Sequence, residues 1–181
     1  SEDGLDYSFT MTNTSDKQLP YGVCNHTTIN GPFTKDGNGL DMRLYIPIGE
    51  KWELSPSCIP TGEFLPETNH DKQYLTGSQV PVLHDIDNDV FFAEEGSYDG
   101  KPFYGAIVTD SATDKHIFYE VCKDFKFWVV WNDKGDKGYF CPEPCTWIID
   151  APNQPIPADE SGYKELAPGE SHTLTEKIYT A

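Results

Sequence analysis

The chain has 181 residues, with 30 Asp and Glu against 13 Lys and Arg and a formal net charge of −17. That sign repels phosphate backbones, so no nucleic-acid partner is expected, and its simplest consequence is solubility. No apolar run approaches the ~20 residues of a membrane span and no signal peptide opens the chain, so neither a membrane nor a secretory route is expected.

The length suits one domain with a sizeable core. Aromatics make up 13% of the chain, and fourteen Pro and fifteen Gly punctuate it without long helical periodicity. Aromatic and β-branched runs broken by turn residues predict an all-β sandwich or barrel.

In chain order, Leu5 to Thr12 alternates as a strand with Leu5, Tyr7, Phe9 and Met11 on one face. Asn13 to Gln18 is a polar turn. Pro20 to Cys24 leads into the segment Asn25-His26-Thr27-Thr28-Ile29-Asn30, where His26 sits among small and polar residues. A turn at Lys35 to Gly39 precedes a strand over Leu40 to Ile48. Trp52 to Leu54 is a short strand, and Ile59 to Pro66 is extended with a turn at Thr61-Gly62.

Asn69 to Gln79 reads as a polar loop, and Val80 to Leu83 as an apolar segment. The acidic run Asp85-Ile86-Asp87-Asn88-Asp89 follows. It lacks the glycine and distal glutamate of an EF-hand loop, which counts against calcium, and acids that end a strand and accept from sugar hydroxyls are an equally good reading. Asp87 and Asp89 would share one face of an extended strand. Val90 to Ala93 is apolar, and Glu94 to Lys101 is a hairpin loop. Phe103 to Asp110 and His116 to Lys123 form a strand pair, followed by a buried strand at Phe125 to Trp131. Pro152 to Pro157 is a rigid connection, Ala167 to Glu170 a Pro-Gly turn, and His172 to Tyr179 a closing strand.

The stretch Tyr139 to Asn153 carries the sharpest chemical signal. Glu143 is wedged between Pro142 and Pro144, with Cys141 and Cys145 outside them. Proline fixes its own φ and drives the residue before it to extended geometry, so Glu143 is expected on a stiff, extended backbone. Apolar neighbours are expected to desolvate it, which raises a carboxylate's pKa and suits it to act as a base. The five cysteines are Cys24, Cys58, Cys122, Cys141 and Cys145. An odd, modest count fits a reduced, cytoplasmic protein with buried free thiols, and the spacing is not that of a zinc site. The glycosylation patterns at Asn13-Thr14-Ser15 and Asn25-His26-Thr27 read as chance matches.

Several segments, taken in order, resemble the later part of the aldose 1-epimerase (galactose mutarotase) family. They are Asn25-His26-Thr27-Thr28-Ile29-Asn30, Ile59-Pro60-Thr61-Gly62-Glu63, Asp85 to Phe91, Phe140-Cys141-Pro142-Glu143-Pro144 with Asp150-Ala151-Pro152-Asn153, and Leu166-Ala167-Pro168-Gly169-Glu170. The resemblance implies a twisted β-sandwich of the galactose mutarotase type over 1–181, without the family's N-terminal portion. It implies interconversion of the α and β anomers of an aldohexose, with His26 as general acid, Glu143 as general base and Asp87 or Asp89 as substrate ligand. No metal or redox cofactor is implied. Trp52, Trp128 or Trp147 could also grip the sugar. Pro144 and Cys145 depart from the polar residues that usually follow the glutamate. The absent portion supplies an arginine and a histidine that bind sugar, so the alternative is a sugar-binding or regulatory domain with weak or no turnover. Uncovered strand edges are expected to pair with a missing segment or with another copy.

Overall fold

The computed structural model describes residues 4–82 and 85–181. Its strands are β1 (Leu5–Thr12), β2 (Leu19–Tyr21), β3 (Ile29–Asn30), β4 (Met42–Tyr45), β5 (Ile48–Leu54) and β6 (Pro60–Leu65), followed by helix α1 (Asn69–Thr76). Then come β7 (Asp89–Ala93), β8 (Gly96–Tyr98), β9 (Lys101–Phe103), β10 (Gly105–Asp110), β11 (Lys115–Val121), β12 (Phe127–Trp131) and β13 (Tyr139–Cys145). The short helix α2 (Ala158–Ser161) precedes β14 (Lys164–Leu166) and β15 (Ser171–Thr180).

Two antiparallel sheets carry the fold, one in the order β1-β15-β11-β10-β4 and the other β3-β13-β12-β7-β5-β6. Alternation decides what each face buries. Phe91, Trp128, Val130 and Phe140 of the second sheet meet Met42, Leu44, Val108, Tyr119 and Leu174 on the first sheet's side of the core. The opposite face of the second sheet presents Trp52, Val90, Phe127, Val129 and Cys145, which cluster with Ile148 and Ala151. The all-β sandwich read from the sequence is the fold of the protein.

The expected strand over Leu40 to Ile48 is interrupted. A 3₁₀ turn takes Gly39–Asp41, and the chain breaks between Tyr45 and Ile48 at Pro47, which has no N–H for a ladder. The expected polar loop from Asn69 contains α1. Thr68 and Asp71 form a capping box at its start, and Gly77, at φ 64°, ends it in the left-handed region. The expected hairpin loop from Glu94 contains the small ladder of β8 and β9. The apolar stretch from Val80 ends at Leu83, which with His84 lies outside the described residues.

Two of the five cysteines are not free thiols. Cys24 and Cys145 form a disulfide between directly opposed positions, 4.1 Å apart at Cα, while Cys58, Cys122 and Cys141 are free. Close approach of the two backbones at this point corrects the expectation of five reduced thiols. Asn13 is fully buried, and its amide donates to the carbonyls of Lys17 and Leu166, which leaves no room for a glycan there.

Candidate active site

Glu143 sits at the middle of β13, opposite Val129 of β12, which is in turn opposite Val90 of β7. Directly paired residues share a face, so Glu143 lies on the outer face of the six-stranded sheet. Cys141 and Trp131 form the next pair along that face.

The two prolines beside Glu143 explain why a side chain can reach it. Pro144 accepts from the Asn25 N–H, so its nitrogen faces the segment around His26, and alternation turns Pro142 the same way. Neither nitrogen has a hydrogen, so β13 cannot hold a continuous ladder there. The neighbouring chain pairs at Cys24 with Cys145 and again at Ile29 with Phe140, but bows outward between. A tight turn from the Thr27 N–H to the Asn25 carbonyl, 2.8 Å, puts His26 at the apex of that bow. Gly22 holds the start of the segment down, because the Trp147 ring lies where any Cβ would project.

As a result His26 Nε2 is 3.3 Å from Glu143 Oε1. The imidazole side chain is 61% exposed and the carboxylate 9%, so the pair has one wet and one dry member. Burial pushes the Glu143 pKa up, and the nearby His26 charge offsets only part of that. The Trp131 ring meets the imidazole edge-on at 5.8 Å between centroids, and Tyr139 lies 6.1 Å beyond Trp131. Trp131 was not singled out from the sequence. Its alternation with Phe127 and Val129 was the available signal, since that set faces Cys141 and Glu143 across the ladder.

The residues flanking His26 are anchored from below. Asn25 Nδ2 donates to Glu176 Oε1 on β15. Thr27 Oγ1 donates to Tyr119 Oη on β11 at 2.9 Å, and Tyr119 donates to Glu176 Oε2 at 2.5 Å. Burial pushes the Glu176 pKa up against these donors. Tyr119 is raised beyond the titratable range by burial and by its hydrogen bond to Glu176.

The acidic run is arranged differently from the expected strand. Asn88 adopts φ 59°, so alternation does not run through it and β7 starts only at Asp89. Asp89 pairs with Val130, which pairs with Pro142, one row out of step with Glu143. It therefore faces away from Glu143, towards α1. There it accepts from Lys51 at 2.6 Å and lies 3.4 Å from His70 Nε2. Burial pushes its pKa up, but the His70 hydrogen bond and the Lys51 charge outweigh this and hold it below the ordinary value. Asp87 is exposed in the segment before β7, and its carboxylate accepts from Asn88 Nδ2 at 3.1 Å. Trp52 and Trp128 are core residues, while Trp147 stacks on Tyr163.

Fold and site together are a two-sheet antiparallel sandwich with an exposed histidine held against a buried glutamate. Comparison with known proteins is specific. The aldose 1-epimerase family pattern matches residues 1–179, and the chain belongs to that family. A solved galactose mutarotase-like protein from Clostridium acetobutylicum is 33% identical, with a TM-score of 0.95 over 99% of this chain and 53% of its own. A galactose mutarotase-like protein from Lactobacillus casei shares the fold at 19% identity and a TM-score of 0.68, covering 100% of this chain and 60% of its own. Galactose 1-epimerase from Lactobacillus acidophilus does so at 13% and 0.58, covering 99% and 54%. The chain thus spans little more than half the length of these structures. No helix among the described residues is long and apolar enough to cross a membrane.

Proposed function

We propose that this chain interconverts the α and β anomers of an aldohexose, using His26 and Glu143 as the acid–base pair. The single observation that carries this reading is their 3.3 Å approach across a proline-broken ladder, with one partner exposed and the other buried. In the forward direction Glu143 takes the proton of the C1 hydroxyl, the C1–O5 bond breaks, and His26 gives its proton to O5. Rotation about C1–C2 then presents the other face of the aldehyde, and the same transfers in reverse close the ring. Each such group is typically worth about 10²- to 10⁴-fold in rate.

Asp87 is the better placed of the two candidate carboxylates to accept from a sugar hydroxyl, because it is exposed whereas Asp89 is held by Lys51 and His70. Trp131 supplies an aromatic wall beside the imidazole. The family, together with an exposed acid–base pair, supports a monosaccharide as substrate. The test is anomer exchange of dissolved aldohexoses, followed by polarimetry, alongside sugar binding by calorimetry. Acceleration above the uncatalysed rate supports the enzyme. Binding without acceleration supports the second reading, a sugar-binding domain of the same fold.

A further inference from the structure

The sulfur of Cys141 is the group beside the acid–base pair that anomer exchange does not use. Cys141 is fully buried and points to the same face as Glu143, two residues along β13. A ring nitrogen of His26, Cys141 Sγ and a Glu143 carboxylate oxygen all lie within 4.8 Å of one another. The disulfide between Cys24 and Cys145 keeps those two sulfurs out of the set and leaves Cys141 as its free thiol.

We propose that His26, Cys141 and Glu143 form a three-ligand site for a borderline-soft divalent cation, Zn²⁺ in particular, and that the bound ion holds the acid–base pair inactive. The donor set is one imidazole, one thiolate and one carboxylate, which are the ligand types zinc takes. Zn–N and Zn–O bonds of about 2.1 Å set a tetrahedral ligand edge of about 3.4 Å. The 3.3 Å between His26 Nε2 and Glu143 Oε1 meets it without rearrangement. Cys141 Sγ lies within 4.8 Å of a donor atom of each, and rotation of its side chain closes the remaining distance to a Zn–S bond of about 2.3 Å. The Thr28 hydroxyl, 3.3 Å from Cys141 Sγ, can donate to the thiolate as an outer-shell partner. On binding, the Cys141 thiol proton passes to solvent, and thiolate and carboxylate together neutralise the ion. The exposed side of His26 leaves the fourth position open to water. Inhibition follows because both groups that must exchange protons with sugar are then metal-bound. That last clause alone rests on the proposed function.

Co²⁺ is the probe, because tetrahedral thiolate ligation gives a charge-transfer band and visible ligand-field bands. The experiment titrates the protein with Co²⁺ in the absence of thiol reductants, then adds Zn²⁺ to displace it. The account predicts one equivalent of Co²⁺ with a thiolate band, bleached by Zn²⁺. Cys141→Ser and Cys141→Ala should abolish the band, and His26→Asn should weaken Zn²⁺ affinity by more than about 100-fold, beyond the effect of losing an outer-shell contact. His26 is exposed, so its variant keeps the proposal testable should the Cys141 variants not fold. No thiolate band in the parent protein, a band that survives loss of Cys141, or His26→Asn binding Zn²⁺ as tightly as the parent would each overturn it. Anomer exchange is measured separately on the metal-free protein. A cobalt site without exchange activity would sink the enzymatic reading alone, and exchange without a cobalt site would sink this one alone.

Discussion

Tyr119 donates its phenolic hydrogen to Glu176 at 2.5 Å directly beneath the turn that carries His26. The two residues come from different strands of the five-stranded sheet, yet together they fix both neighbours of His26, which approaches Glu143 on the six-stranded one. The backbone on both sides of His26 is therefore anchored from below, while its imidazole meets Glu143 and Trp131. The imidazole stays exposed and free to exchange protons with solvent.

Tyr119→Phe should lose the Thr27 anchor and leave the buried Glu176 carboxylate short of a donor. An unsatisfied buried group costs about 1–3 kcal/mol, so a fall in stability of that order is expected by thermal unfolding. If the network positions His26, the rate of anomer exchange should fall further than the substrate affinity. Glu176→Gln, which keeps size and an acceptor, should restore part of the rate lost in Glu176→Ala. Equal loss in both Glu176 variants, with affinity and rate falling together, would show that the network only supports the fold.

The Asp89 cluster gives a pH prediction of defined sign. Its folded pKa lies below the ordinary carboxylate value, so the folded state favours the ionised form. The stabilisation is complete above the unfolded pKa, about 3.9, and is lost as pH falls through the lower folded value. Asp89→Asn should flatten the dependence of melting temperature on pH below about 4 while leaving anomer exchange largely unchanged. A loss of sugar binding by Asp89→Asn, with Asp87→Ala binding as tightly as the parent, would show that Asp89, and not the exposed aspartate, meets the substrate.

Among the described residues, strand β1 pairs with β15 along one side only, and Leu5, Tyr7 and Phe9 are exposed. An edge with an exposed apolar face is prone to pairing. The chain alone should self-associate with rising concentration, and Tyr7→Lys with Phe9→Lys should return it to a monomer by light scattering. A parent protein that stays monomeric at high concentration would show that this edge is harmless.

Much of this molecule is legible in its sequence, and the failures have physical causes. β1 and β15 alternate over eight and ten residues, so a two-residue period suffices to find them. α1 shows no apolar stripe, because only Asp71 and Tyr74 of it are buried. Its signals were the Thr68–Asp71 box and Gly77, which mark ends and not a face. The shared face expected for Asp87 and Asp89 failed because one residue, Asn88, takes a positive φ that alternation does not foresee. The approach of His26 to Glu143 came from a resemblance of segments, since 116 intervening residues carry no local signal of it. The pairing of Cys24 with Cys145 depends on the same bowed segment and is invisible for the same reason.

Glu143→Gln tests the central claim most directly, because it keeps the size of the side chain and removes only its basicity. The measurement is the rate of anomer exchange by the variant, with the unfolding curve recorded beside it. The account predicts an unchanged fold and a loss of about 10²- to 10⁴-fold in the rate enhancement. A folded variant that exchanges anomers as fast as the parent would contradict it.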